Sequence, residues 1–402
     1  MGKSGLTPAF RFLKLTYGNY IKRRYGITEK GMENVVPFRG PCIVFANHTH
    51  TLDPFFISEM YPYTIRWVAG SYLFKMKGVS FLLRHLVHAI PKVQGRSDLE
   101  TIRNISRALK NGDIVGLFPE GTRSWDGEMM DITAATAKLV RIFHVPVVFC
   151  HIEGGFLNKP RWSDKERRGP VSVRVVKVLT EEEIKTSSLQ EITEITKKYL
   201  SFSTDDWQES AHVPYPSDSA AEGSERLFYL CPKCHRFSTM SSSGRTVTCS
   251  SCGLSATFDD YGRIKMNDDY IPYTRLSEWH EWEKKELGEI YDRAEEGSTI
   301  FTDSGILFQI PGKKKLETVS ENFSVTVTKE GFVFIFATPI FCDGKSSERL
   351  FFPFSSIESV VINAKQTIEF YADGKQYRFR TALDRSALKY QVIYLYVSRG
   401  GK

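Results

Sequence analysis

The stretch FANHTHTLDPFF, residues 45–56, closes one pattern and opens another. The residues leading into it, CIVFAN (42–47), read as a buried strand, and Pro54 with the apolar residues after it reads as the start of a helix. Asp53, directly before that proline, has the form of a helix cap. The same carboxylate, five residues after His48, can also hold one imidazole nitrogen and set the tautomer. The other nitrogen then points outward as a general base. One carboxylate can do both. His50 has no place in this arrangement and reads as a bystander.

Working outward, AIPKV (89–93), DIVGLFP (113–119) and VPVVFCHI (145–152) are further short apolar runs of strand length. Between two of them, SDLETIRNISRALKNGD (97–113) reads as a helix, with Ser97 and Glu100 as a capping box and Gly112 as its stop. Residues 182–200 read as a closing helix. Strands alternating with helices predict an α/β domain, a mixed sheet flanked by helices, over residues 31–201.

The chain has 402 residues, more than one core usually serves, so two or three domains are expected. Residues 1–30 form a basic segment in which Phe10, Leu13, Tyr17 and Ile21 share one helical face. They predict a helix that lies on an anionic membrane lipid surface or packs on the domain. Residues 202–227, rich in Ser, Asp, Glu and Ala, read as a linker. Residues 228–270 hold two CxxC pairs, 271–298 a connecting helix, and 299–402 alternating strands with a final helix. That last region is expected to be a PH-like β barrel with a closing helix, acting structurally or by docking a protein partner.

Charge is uneven. Residues 1–212 carry 30 Lys and Arg against 22 Asp and Glu, and the remainder 24 against 25. The first half is therefore the half that meets phosphate, cofactor or lipid. No apolar run approaches the roughly 20 residues of a spanning helix, and the N-terminus lacks a signal-peptide pattern. A cytoplasmic protein, peripherally associated with the cytoplasmic face of a membrane, is expected.

CPKC (231–234) and CSSC (249–252) give C-x2-C-x14-C-x2-C. Two such turns bring four thiolates to one ion, so Cys231, Cys234, Cys249 and Cys252 are expected to hold a structural zinc in a zinc ribbon. His235 is redundant once four thiolates are present. The ribbon's half has no basic excess, so nucleic acid is not an expected partner.

FPEGTRS (118–124) sets a carboxylate, a glycine, a hydroxyl and a guanidinium at one strand exit, a combination suited to a phosphate. AIPKVQGR (89–96) puts Arg96 before a helix start, a second anion position. NKPRWSDKERRGP (158–170) adds five cations, read as a solvated face or as a contact for coenzyme A phosphates or anionic lipid.

Taken in order, NHTHTLD, AIPKVQGR, FPEGTRS and VPVVFC resemble the four motifs of the glycerophospholipid acyltransferase family, particularly the lysophosphatidate acyltransferases, over about residues 8–200. Gln94 and Gly95 depart from the second motif, which more often carries a hydrophobic residue and Asp before its arginine. The resemblance implies His48 as general base with Asp53 as its orienting partner. It implies an acceptor site of Arg96, Glu120, Gly121, Thr122 and Arg123, and a pocket shaped by Pro146. It further implies transfer from acyl-CoA or acyl-carrier protein to lysophosphatidic acid, giving phosphatidic acid. Glycerol 3-phosphate or another lysophospholipid is the alternative acceptor, and an inactive lipid-binding scaffold is the alternative from another class. Cys150 reads as core, so no covalent acyl-enzyme is expected.

Overall fold

The computed structural model describes residues 7–37, 39–93, 99–130, 132, 134–313, 315–342 and 344–401. The chain divides into two compact units: residues 1–161 with 166–217, and residues 162–165 with 218–402.

The first unit is built on a seven-stranded sheet. Numbered along the chain, its strands are β1 (Thr28–Lys30), β2 (Cys42–Ala46), β3 (Ile65–Gly70), β4 (Ile90–Lys92), β5 (Ile114–Leu117), β6 (Val147–Glu153) and β7 (Ser172–Leu179). Their order across the sheet is β1-β7-β6-β2-β5-β3-β4. The pairs from β6 through β4 are parallel, β6 and β7 are antiparallel, and β1 is parallel to β7. This is the mixed sheet that the alternating pattern predicts. β2 lies in the middle and every residue of it is buried. Cys42, Val44 and Ala46 join one hydrophobic cluster, and Ile43 and Phe45 join the other. That two-residue alternation is how a strand covered on both faces divides its side chains.

Helices Asp53–Met60, Leu99–Lys110, Ala134–Phe143 and Leu189–Leu200 accompany the sheet. The expected single helix over 182–200 is two, Glu181–Thr186 and Leu189–Leu200. Each has its own capping box, from Thr180 with Glu183 and from Ser188 with Glu191. Ser188 accepts the N–H of Glu191, so a new helix starts there instead of the old one continuing. The capping box expected of Ser97 lies outside the described residues, as does Arg96.

Residues 8–24 are helical, with a π segment at Lys14–Gly18 between Pro8–Leu13 and Asn19–Arg24. Phe10 and Ile21 are buried, so this helix packs on its domain, yet Phe12, Leu15 and Tyr20 remain exposed. The 202–227 stretch is more ordered than its polar composition suggests. It contains the helix Thr204–Ala211, and Tyr215, Ala220, Ala221 and Leu227 are buried. Among the described residues no helix is long and apolar enough to cross a membrane.

The second unit holds two antiparallel sheets and two long helices. The smaller sheet orders Ile264–Met266, Ser255–Phe258, Thr246–Cys249 and Met240–Ser243. Helix Leu276–Arg293 follows. The larger sheet has eight strands between Thr299 and Thr381, and helix Leu388–Ser398 closes the chain as expected. Its core is largely aromatic: Phe308, Phe334, Phe370 and Phe379 are fully buried. The path of strand pairs ends at Lys345–Pro353 on one side and Ile357–Asn363 on the other. No pairing joins those two ends among the described residues, so the antiparallel sheet is present but closure into the expected barrel is not seen.

Candidate active site

The dyad loop leaves the C-terminal end of β2 and is pinned at both ends. Asn47 imitates a strand residue with its side chain. Its Nδ2 donates to the Ile152 carbonyl (3.0 Å), and its Oδ1 accepts the Ile152 N–H (2.7 Å). The loop is thus stitched to β6 just past the Ala46–Cys150 pair, two residues on from Cys150. His48 follows immediately.

Asp53 settles what the carboxylate does. It is the first residue of its helix and fully buried, and its carboxylate turns back over the loop instead of capping the helix. Its Oδ2 accepts the N–H groups of Thr49 (2.7 Å) and His50 (2.8 Å) and lies 2.8 Å from His48 Nδ1. Three interactions on one oxygen fix the imidazole's position. In the neutral ring, the proton sits on Nδ1 and points at Asp53, and Nε2 carries the lone pair. Burial holds His48 below the ordinary imidazole range; Asp53 pulls the other way, and the charges of Arg123 and Arg161 add to the depression. His50 takes no part in the dyad. Its Nδ1 accepts the Leu52 N–H (2.9 Å), and burial holds it neutral, down to about 4.

The FPEGTRS segment straddles His48. Glu120 Oε1 accepts the His48 N–H (2.6 Å), and Ser124 N–H donates to the His48 carbonyl (2.8 Å). Glu120 Oε2 accepts the Met130 N–H (3.1 Å). Both oxygens thus accept backbone donors, and through His48 Glu120 positions the dyad loop. Burial pushes its pKa up to about 8, against the two backbone donors that favour its ionised form. Gly121 turns the chain with φ +70°, a conformation glycine accepts without strain. Arg123 is half-buried, and its guanidinium makes no hydrogen bond among the described residues. Burial lowers its pKa, while the Asp53 charge raises it.

Three site features were not legible in the sequence. Phe118 stacks on the His48 ring at 4.2 Å and on Trp67 at 4.8 Å, with interplanar angles of 17° and 12°. This stack fixes the plane of the base. Trp67 is held in turn by its Nε1–H donating to Ser58 Oγ (2.9 Å). The third is Arg161, part of a charge run by sequence but 3% exposed in the fold. It donates to Thr122 Oγ1 (2.5 Å) and to the Arg123 carbonyl (2.9 Å), and it lies 4.3 Å over the Trp125 ring.

Pro146 stands apart. β2 and β6 run parallel with Ile43 opposite Val147 and Ala46 opposite Cys150, so Pro146 sits at the entry end of β6. The dyad loop leaves from the other end, about 13 Å away at a strand's rise of roughly 3.3 Å per residue. Pro146 therefore stands at the strand's start, at the end opposite the dyad loop. Cys150 is fully buried, with its thiol pushed up to about 12 by desolvation, and is no nucleophile. In the second unit, the Sγ atoms of Cys231, Cys234, Cys249 and Cys252 lie within 4.8 Å of one another.

A base oriented by a buried carboxylate, beside two arginines at one sheet end, is an arrangement for activating a hydroxyl near an anion. Residues 26–153 match the acyltransferase family profile, so this part of the chain carries an acyltransferase domain. The chain is 26% identical over 132 residues to a 1-acyl-sn-glycerol-3-phosphate acyltransferase of Bacillus subtilis (strain 168), covering 33% of this chain and 64% of that protein. It is 29% identical over 138 residues to the enzyme of that name from Limnanthes alba, covering 33% and 48%. With Brassica napus "1-acyl-sn-glycerol-3-phosphate acyltransferase BAT2, chloroplastic", identity is 28% over 127 residues, covering 30% and 35%. The match thus spans between about a third and two thirds of these relatives' own lengths. A solved structure of the 1-acyl-sn-glycerophosphate acyltransferase PlsC from Thermotoga maritima is similar at 23% identity with a TM-score of 0.42. It covers 50% of this chain and 80% of that one.

Proposed function

We propose that the protein is an O-acyltransferase that moves a fatty acyl group from an acyl thioester to the hydroxyl of 1-acylglycerol 3-phosphate, giving phosphatidic acid. The observation that carries this reading is the His48–Asp53 pair, held at 2.8 Å with Nε2 left as the base. Arg123 would take the acceptor's phosphate. His48 Nε2 removes the proton of the acceptor hydroxyl as the oxygen attacks the thioester carbonyl. The tetrahedral adduct collapses, the C–S bond breaks, and the leaving thiolate takes the proton back from His48. No protein nucleophile is needed, because the acceptor oxygen attacks directly. The relatives' printed names support this acceptor.

The donor is acyl-CoA or acyl-carrier protein. A lipid acceptor implies work at a membrane surface, and the exposed Phe12, Leu15 and Tyr20 beside Lys22 and Arg23 suit that surface. The second unit would serve as a structural or protein-docking module.

The test gives the purified full chain an acyl thioester with lysophosphatidic acid and glycerol 3-phosphate as competing acceptors. Phosphatidic acid as the main product is the expected result. Preferential transfer to glycerol 3-phosphate would replace the acceptor. No transfer to either acceptor, from protein shown to be folded, would move the reading to another lysophospholipid or to a lipid-binding scaffold.

A further inference from the structure

We propose that Cys231, Cys234, Cys249 and Cys252 bind one zinc ion as four thiolates, and that this ion is a folding cofactor of the second unit. The inference is independent of the acyl-transfer reading. Cys231 and Cys252 lie 3.6 Å apart, and Cys234 and Cys249 3.7 Å. A disulfide needs about 2.0 Å, whereas thiolates about 2.3 Å from a central zinc form a tetrahedron with edges of about 3.8 Å.

The two CxxC turns also repeat one backbone design. His235 N–H donates to the Cys231 carbonyl (2.9 Å), and Gly253 N–H to the Cys249 carbonyl (3.0 Å). The residue after each pair has positive φ, 53° at His235 and 75° at Gly253. Cys231 N–H donates to the Arg236 carbonyl, and Cys249 N–H to the Leu254 carbonyl. Backbone N–H groups of Lys233 and Cys234 point at Cys231 Sγ, and those of Ser251 and Cys252 at Cys249 Sγ. Both turns thus supply N–H donors that stabilise thiolates aimed at a common centre. His235 is turned away, with its Nδ1 3.1 Å from Glu286, so four sulfurs close the shell and no position is left for a substrate.

The first turn is anchored on both sides. Ahead of it, the N–H groups of Tyr229 and Leu230 donate to the buried Glu283 carboxylate, and Trp279 Nε1–H donates to the Leu230 carbonyl. Beyond it, Ser238 Oγ lies 3.2 Å from Asp303 Oδ1 and also accepts from Lys389 Nζ. Losing the ion therefore loosens helix Leu276–Arg293 as well as the ribbon.

The test is elemental analysis of the purified full chain, with hydrogen exchange before and after chelation. One zinc per chain is expected, lost in Cys231→Ser and in Cys249→Ser. Chelation should raise exchange over 228–258 and 276–293 while β2 and β6 stay protected. A wild-type chain free of metal, with four free thiols or two disulfides, would overturn the proposal. Iron in place of zinc would overturn the ion's identity, and exchange unchanged by chelation would overturn the folding role.

A second inference rests on the proposed acyl-transfer reading and on a separate observation. We infer that Arg161 is an acceptor-binding residue that selects phosphate-bearing lipids. It lies beyond residue 153, where the acyltransferase match ends. Its hydrogen bonds to Thr122 Oγ1 and the Arg123 carbonyl, and its stacking on Trp125, fix it against the turn that carries Arg123. The two guanidinium groups repel: Arg161 is held down to about 9, first by burial and then by Arg123. Both charges also act on His48. Two partly desolvated cations beside a base would be relieved by a dianion such as a phosphate monoester.

The test measures binding of lysophosphatidic acid and of the uncharged monoacylglycerol to wild type, Arg161→Met and Arg161→Lys. Arg161→Met should weaken lysophosphatidic acid by about 10- to 100-fold, the usual worth of a charge-assisted hydrogen bond. The lysine variant should recover part of that loss, and the preference over monoacylglycerol should fall in step. Equal weakening of both lipids would reduce Arg161 to a clamp on the turn, and unchanged affinity would remove it from the site. Selective binding by a wild type that transfers no acyl group would sink the acyl-transfer reading while leaving the anion site standing.

Discussion

His48→Ala should lower acyl transfer by about 10²- to 10⁴-fold, the range that positioned general-base catalysis contributes. The loss should fall on kcat, because the proposed phosphate contacts are arginines and not the imidazole. The fold should survive, since His48's backbone N–H and carbonyl, which the alanine keeps, carry its bonds to Glu120 and Ser124. The pH profile gives the same assignment a second reading. A base works only when neutral, so activity rises as pH climbs through the His48 pKa. Burial holds that pKa below the ordinary imidazole value, so the acidic limb should lie below it too. A limb at or above that value, or a variant of undiminished rate, would remove His48 from the base's role.

Lys389→Met should cost the second unit about 3–5 kcal/mol, the usual penalty for stranding one member of a buried ion pair. Lys389 Nζ lies 2.7 Å from Asp303 Oδ2, and both side chains are fully buried. Tyr390 OH donates to the same Oδ2 (2.8 Å). Removing the ammonium leaves a desolvated carboxylate with mainly neutral donors, and Arg385 at 3.8 Å is a poor substitute. Paired replacement, Lys389→Met with Asp303→Leu, should recover much of the loss, because the apolar pair strands no charge. Denaturant unfolding of the three variants measures this directly. A single substitution that leaves the midpoint in place would contradict the account of this network.

How much of this was legible beforehand depended on whether the signal was local. The β2 strand, the turn after it and the helix at Asp53 follow from composition and spacing within a dozen residues, and they appear where expected. The two CxxC turns are equally local, and their four sulfurs converge. What sequence spacing could not give was direction and depth. Asp53 read as both a cap and the orienting partner of His48, and its carboxylate turns back over the loop to serve only the second. Nothing in the spacing showed that the Glu120 carboxylate would accept two backbone N–H groups. Arg161 was one cation among five, and only the folded loop shows that it is buried on Trp125. Pro146 was placed near the pocket by motif order, while parallel register sets it at the strand's far end. The closure of the C-terminal sheet depends on pairing between distant strands, which alternation within a strand does not encode.

The central claim is that the His48–Asp53 pair drives direct attack by the acceptor hydroxyl, without an acyl-enzyme. The most direct measurement mixes the full chain with radiolabelled acyl-CoA, once alone and once with lysophosphatidic acid. Product lipid and intact protein mass are then followed in each case. The account predicts labelled phosphatidic acid only when the acceptor is present, and a protein mass that never gains an acyl group. A labelled acyl-protein formed without acceptor, or no phosphatidic acid with it, would contradict the account.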